Sequence, residues 1–163
     1  MNDVGRFVQG FIGSEDLVLD IGCGIMQASD DLNCKAILGV DIWKPYLERL
    51  SLLCPTVTIR CDELNRFVDK SYDVVICLDL LEHLSHEEAI NVLKEMKRIC
   101  RKHVIVYTPQ TFDSNKEAVK DSWGMGENPH QEHRCVISRQ DLRENGYKVI
   151  PNDVIAFWGI YPK

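Results

Sequence analysis

Leu17-Val18-Leu19-Asp20-Ile21-Gly22-Cys23-Gly24 is an apolar, largely branched run that stops at two glycines. The pattern predicts a buried strand opening into a glycine loop, where Gly22 and Gly24 let the backbone turn sharply and a ligand approach where a Cβ would clash. Alone, a GxG is weak, since two glycines after a strand also serve as plain turn residues. Its neighbours give it meaning. Similar runs recur at Ala36 to Ile42, Thr56 to Cys61, Tyr72 to Leu78, His103 to Thr108, Tyr147 to Ile150 and Val154 to Tyr161. Helical patterns between several of them predict an α/β chain whose seven strands form one mostly parallel sheet with helices on both faces. The last two strands are separated only by Pro151, Asn152 and Asp153, too short for a helical crossover. They are expected to pair antiparallel, giving the sheet one reversed strand.

The helices carry their own signatures. Pro45 suits a first helical turn, Leu47, Leu50 and Leu53 form a stripe, and Pro55 ends it. Ser85 with Glu88 three residues on reads as a capping box before Ala89, Val92, Leu93, Met96, Ile99 and Cys100. Ser138 with Asp141 starts another helix, which Gly146 is placed to close in a left-handed conformation. Asp3 to Ile12 forms a short helix with Val4, Phe7, Val8 and Phe11 on one face, covering part of the sheet or the site. Gln110 to Val136 has no sustained period and starts at a strand's carboxyl end, where open α/β sheets bind ligands, so it reads as a substrate-side cover.

Composition narrows the function classes. At 163 residues the chain is close to one domain of roughly 150, and residues 1 to 163 are expected to form a single domain. Apolar residues make up 45%, charged ones 27%, and mean hydropathy is -0.18, the range of a globular protein rather than a disordered or collagenous one. Nineteen basic against 25 acidic residues leave a net charge of -6, which weighs against nucleic acid or an anionic membrane as the main partner. Asp79 and Glu82 interrupt the longest apolar stretch, so no membrane span is expected. Cys23, Cys34, Cys54, Cys61, Cys77, Cys100 and Cys135 are odd in number and contain no CxxC. With no N-terminal signal pattern, they point to a reducing cytoplasm and to cysteines used mostly as small buried apolar residues.

The acids at the strand ends point to a nucleoside. Asp41 closes the second strand 17 residues after Gly24, near the ~20 of a carboxylate that binds ribose hydroxyls. Asp62 and Glu63 follow the third strand, and Asp79, Glu82 and His83 follow the fourth. Each acid also has a plainer reading as a helix cap or first-turn charge, Asp62 above all. A dinucleotide fingerprint would need glycine where Gln27 stands. Asp20, beside the loop, would repel a pyrophosphate but favour a sulfonium or ammonium group. These features argue against a nicotinamide-dependent oxidoreductase.

From Leu17 to Tyr161 the chain resembles the class I S-adenosylmethionine-dependent methyltransferases, and most of all their small-molecule branch. Asp20-Ile21-Gly22-Cys23-Gly24 is similar to that family's first motif, and Cys77-Leu78-Asp79-Leu80-Leu81-Glu82-His83 to its fourth-strand segment. The resemblance implies a Rossmann-like fold and S-adenosyl-L-methionine as cofactor. It would set Gly22, Cys23 and Gly24 against the methionine part, Asp41 on both ribose hydroxyls and Ile42 on adenine. Asp62 and Glu63 would face the adenine amino edge, with Leu78 and Asp79 on the methionine side. The family's third glycine is replaced by Met26. That departure keeps a second class open, a noncatalytic cofactor-binding regulatory or partner subunit.

Methyl transfer needs alignment more than a nucleophilic side chain. His83 is the candidate general base for a protonated acceptor, because an unperturbed imidazole titrates near neutrality. His130, His133 and Trp123, in the long loop, are candidate acceptor contacts, with Met125 as a further part of an apolar lid. His83 with His86 and His130 with His133 form two HxxH pairs, neither of them HExxH. The two pairs could share a metal if their loops meet, but ordinary surface histidines account for both, so no metal is expected. An Asn/Asp-Pro-Pro-Tyr motif, which in this superfamily implies amino methylation of adenine or glutamine, is absent, and that weighs against those acceptors only. With little sequence beyond the core fold, a small-molecule acceptor or a partner subunit is expected to provide specificity.

Overall fold

A computed structural model describes residues 2–50, 55–113, 115, 126–151 and 155–162. Leu53, Trp123 and Met125 therefore lie outside the described residues. Seven strands, β1 (Leu17–Ile21), β2 (Ala36–Asp41), β3 (Thr56–Thr58), β4 (Tyr72–Leu78), β5 (Cys100–Pro109), β6 (Lys148–Pro151) and β7 (Ala156–Pro162), form one sheet in the order β3-β2-β1-β4-β5-β7-β6. β1 to β5 pair in parallel, and β7 runs antiparallel to both β5 and β6. The reversed strand expected from the short connection is β7.

The apolar runs form strands because both faces of the sheet are covered. Val18, Leu19 and Ile21 of β1 and Val74 to Cys77 of β4 are all buried, as parallel strands between helix layers must be. On one face, Val92, Leu93 and Met96 of α3 (His86–Ile99) pack with Leu19, Val75 and Val104. Leu142 of α4 (Arg139–Glu144) joins the same core. On the other face, α1 (Asp3–Gln9) lays Phe7 on Trp158, rings stacked 4.1 Å apart, and buries Val8 with Ile76 and Ile105. α2 (Lys44–Leu50) packs Leu47 and Leu50 with Cys23 and Met26. Among the described residues no helix is long and apolar enough to cross a membrane.

Both capping boxes form as the sequence predicts: Ser85 and Ser138 accept from the amides of Glu88 and Asp141, whose carboxylates reach back to the cap amides. Gly146 closes α4 with φ +85°. The third strand is shorter than expected, ending at Thr58, and Cys61–Arg66 coil instead into a 3₁₀ turn. Asp62 and Glu63 therefore sit on that turn rather than at a strand end. Four of the seven cysteines, Cys23, Cys77, Cys100 and Cys135, are buried free thiols.

Candidate active site

The chain runs outward from β1 through β2 to β3 and then crosses back to β4 on the other side of β1, and this reversal of strand order opens a crevice at the carboxyl ends of β1 and β4. A cavity of about 620 Å³ occupies that crevice, a size suited to a nucleoside-like ligand. The loop after β1 forms one wall. Gly22 and Gly24 adopt left-handed backbone, φ 71° and 52°, and a Cβ on Gly22 would stand 2.8 Å from the Leu80 side chain. The amides of Gly22 and Cys23 both donate to the Val40 carbonyl, at 2.8 and 3.1 Å, which ties this loop to β2.

Asp41 is fixed by two backbone amides. Gly24 donates to Oδ2 at 3.0 Å and Trp43 to Oδ1 at 2.8 Å. Each oxygen keeps lone-pair capacity for a ligand hydroxyl. Burial raises its carboxyl against these hydrogen bonds, which stabilise the charge. Asp20 is more extreme. It is 3% exposed, accepts a 2.5 Å hydrogen bond from the Ser29 hydroxyl, and burial pushes its pKa up to about 7, with nearby Asp41 adding to the shift. An anion beside such a carboxyl meets repulsion, whereas a cation would favour its ionised form.

The remaining expectations divide. Ile42, Asp62, Leu78 and Asp79 line the cavity together with Asp20, Gly22, Cys23, Gly24 and Asp41. Asp62 does so from an exposed position with its carboxylate on Arg60, 3.1 Å away. Glu63 does not reach the cavity: its carboxylate accepts from the Arg60 amide at 3.0 Å and pairs with Arg66 at 3.1 Å. The plainer helix-start reading holds for Glu63, because a 3₁₀ turn leaves amides that need an acceptor.

The histidines recombine in a way that their spacing does not foretell. His83 and His130 line the cavity, but His130 stands edge-on to Trp43 and His86 pairs with Asp141. His133 lies outside the cavity lining and meets His83 instead, ring centroids 4.9 Å apart. Burial first, then the neighbouring His133, hold His83 down at about 4. It is neutral at pH 7, but the near-neutral pKa on which a general-base role rested is lost. Burial also pushes Glu82 up to about 8, with Asp79 contributing.

Sequence reasoning missed several contributors. Ser29 carries no motif signal and enters through its contact with Asp20. Asn2 and Val4 of the first segment also line the cavity. Asn128, buried, donates to the Tyr46 hydroxyl at 3.2 Å and fastens the loop over the site to α2. Met26, at the position of the missing glycine, takes the left-handed conformation itself, φ 57°. Its side chain is 1% exposed and packs with Cys23, Leu47 and Leu50. Burial thus offsets the backbone strain.

Comparison with known proteins agrees with this architecture. The family model described as a methyltransferase domain matches residues 19–108. An uncharacterized protein of Methanocaldococcus jannaschii is 25% identical over 161 residues, covering 95% of this chain, which spans 65% of that relative's length. Among solved structures, an Archaeoglobus fulgidus SAM dependent methyltransferase superposes with a TM-score of 0.71 at 16% identity, covering 97% of this chain and 90% of that one. Magnesium protoporphyrin IX methyltransferase from Synechocystis, solved with bound SAH, gives 0.65 at 18%, covering 96% and 78%. The same fold occurs in a small RNA methyltransferase, at 0.70 and 17%, over 98% of this chain and 24% of that one.

Proposed function

Because the chain belongs to the class I S-adenosylmethionine-dependent methyltransferases, we propose that it transfers a methyl group to an oxygen, nitrogen or carbon of a small-molecule acceptor in the cavity described above. The observation that carries this reading is the convergence of Gly22–Gly24, Asp41 and Asp79 on one cavity at the strand ends. The residues fit the cofactor: a cavity of about 620 Å³, backbone left bare by two glycines, and a fixed carboxylate with free lone pairs.

When bound, the cofactor supplies an electrophilic methyl on a sulfonium, so the protein's task is alignment and exclusion of water. In this reading Asp41 accepts hydrogen bonds from the two ribose hydroxyls, its orientation set by the Gly24 and Trp43 amides. Ile42 packs against the base, and Asp62 meets its edge. Asp20, once ionised, complements the cationic end, and Leu78 and Asp79 flank it. The acceptor occupies the side bordered by His83 and His130, under the loop that Asn128 anchors. A protonated acceptor nitrogen or hydroxyl is not assigned to His83 for deprotonation, since a base held at about 4 is too weak.

A small acceptor is supported by the charge of the site. Six carboxyl groups line the cavity against two arginines, Arg60 and Arg134, and the chain carries a net charge of -6, a balance that disfavours a phosphate backbone. The whole chain, 1 to 163, serves as one cofactor-binding domain with no membrane or nucleic-acid partner, working in the cytoplasm. Calorimetry with S-adenosylmethionine, S-adenosylhomocysteine and NAD tests the cofactor assignment. Micromolar binding of either adenosyl ligand without NAD binding supports it. Failure of both to bind, or preference for NAD, overturns it. A methyl-transfer assay over a panel of small hydroxyl, amine and carbon acceptors then separates an enzyme from a binding subunit.

A further inference from the structure

At the edge of the cavity stands a side-chain cluster of which the methyl-transfer reading uses only His83, as part of the acceptor wall. Glu82, His83 and His133 each offer a ligand atom, and these atoms all lie within 4.8 Å of one another. We propose that Glu82, His83 and His133 bind one divalent metal ion, of the class that accepts imidazole and carboxylate together: manganese, iron(II), cobalt or zinc.

The cluster is held in place from several directions. The Glu82 backbone carbonyl accepts from the amides of Arg134 (2.7 Å) and Cys135 (3.2 Å), which clamps the loop bearing His133 against the segment bearing His83. Asn115 receives the His133 amide at 2.7 Å and donates to the Gln131 carbonyl at 2.6 Å, fixing the same loop from its other side. His83 Nδ1 stands 3.4 Å from the Glu132 carbonyl. A ring that donates through Nδ1 presents the Nε2 lone pair elsewhere, the arrangement that outer hydrogen bonds impose on metal-binding histidines.

Glu82 itself calls for a cation. It is 3% exposed, and its carboxylate meets the Thr108 hydroxyl at 3.5 Å, the limit of a hydrogen bond. Among the described residues, neither Glu82 nor Asp79 pairs with a lysine or arginine. A buried carboxylate without such a partner is costly unless it is neutralised or coordinates a metal. Bonds of about 2.1 Å hold metal ligands roughly 3 to 3.5 Å apart, so side-chain rotations of about 1 Å close the cluster onto an ion. Three protein ligands leave further coordination positions for water or substrate. His83 is also part of the cavity wall, so an ion held there borders the acceptor side. On the methyl-transfer reading, that favours acceptors presenting an oxygen or nitrogen ligand to the metal.

Metal binding is measured without cofactor or acceptor, so its outcome is independent of that reading. Purified protein, kept reduced, is titrated with Mn²⁺, an ion that thiolates bind poorly, and with Zn²⁺, and followed by calorimetry and thermal unfolding. One Mn²⁺ per chain is expected, with a rise in melting temperature. Glu82→Gln and His133→Ala should each weaken binding at least tenfold and abolish the thermal shift, while His86→Ala, on the surface beside Asp141, leaves both unchanged. If His133→Ala does not fold, His133→Gln replaces it. Absence of stoichiometric binding to the wild type, or equal binding by the folded His133 variant, overturns the proposal.

Discussion

The Ser29 hydroxyl donates to Asp20 Oδ2 at 2.5 Å, a buried pair in the wall of the cavity. Ser29 lowers the Asp20 pKa, yet desolvation outweighs it and the carboxyl sits at about 7. Asp20 therefore changes charge in the physiological range, at the place where the cationic end of the cofactor is proposed to lie.

Two pH effects follow with opposite signs. The folded-state pKa is raised from 3.8 to about 7, so the native state binds the extra proton between those values. The stability this confers is fully present below 3.8 and lost as pH rises through 7. Affinity for S-adenosylmethionine should instead increase from pH 6 to pH 8, because the ionised carboxylate attracts a cation. Asp20→Asn is expected to flatten both profiles, raising the melting temperature at pH 8 while weakening cofactor binding. Melting curves and calorimetry across that range check it; an unchanged pH profile of affinity in Asp20→Asn sinks the assignment.

Asp41→Ala removes the acceptor proposed for both ribose hydroxyls and also frees the Gly24 and Trp43 amides. Hydrogen bonds to a charged group are each worth about 1.5–3 kcal/mol, so cofactor affinity should fall by at least about tenfold. Asp41→Asn retains one good acceptor and should fall between the two. Calorimetry on folded variants decides, and wild-type affinity in the alanine variant would be incompatible with the proposed role.

Met26→Gly isolates the departure from the family pattern. A left-handed non-glycine residue costs roughly 1–2 kcal/mol, but truncating a buried methionine costs about 2–5 kcal/mol. Burial is the larger cost, so the glycine variant should be less stable by about 2 kcal/mol, the difference between the mid-range values of those two costs. Denaturant unfolding measures this; a more stable variant would mean that strain, not packing, dominates at this turn.

Gly22→Ala places a Cβ 2.8–2.9 Å from three Leu80 side-chain atoms in a backbone with φ +71°. Strain and overlap together are expected to cost about 2–5 kcal/mol and to displace Leu80, which also lines the cavity. Gly22→Ala with Leu80→Ala should recover part of the lost cofactor affinity, whereas Leu80→Ala alone should change it less. Lack of any recovery in the double variant argues against a steric origin.

Much of this protein is written locally. Buried parallel strands are apolar on both faces, so the centres of β1, β2, β4 and β5 stand out as mostly apolar runs, and Ser85 and Ser138 announce their helices through caps made within three residues. Asp41 and the glycine loop are legible for the same reason: a strand end and a turn are short-range events. Helix starts compete with ligand roles for the same acids, and for Glu63 the local geometry of a 3₁₀ turn decided the matter. Tertiary structure alone determined that Ser29 buries beside Asp20, and that Met26 pays for its backbone by entering the α2 core. It also separated the two HxxH pairs and set His133 against His83 and Glu82. Those contacts join elements about 50 residues apart through the sheet and the loop anchored by Asn128, and periodicity within one element carries no information about which partner packing will bring to it.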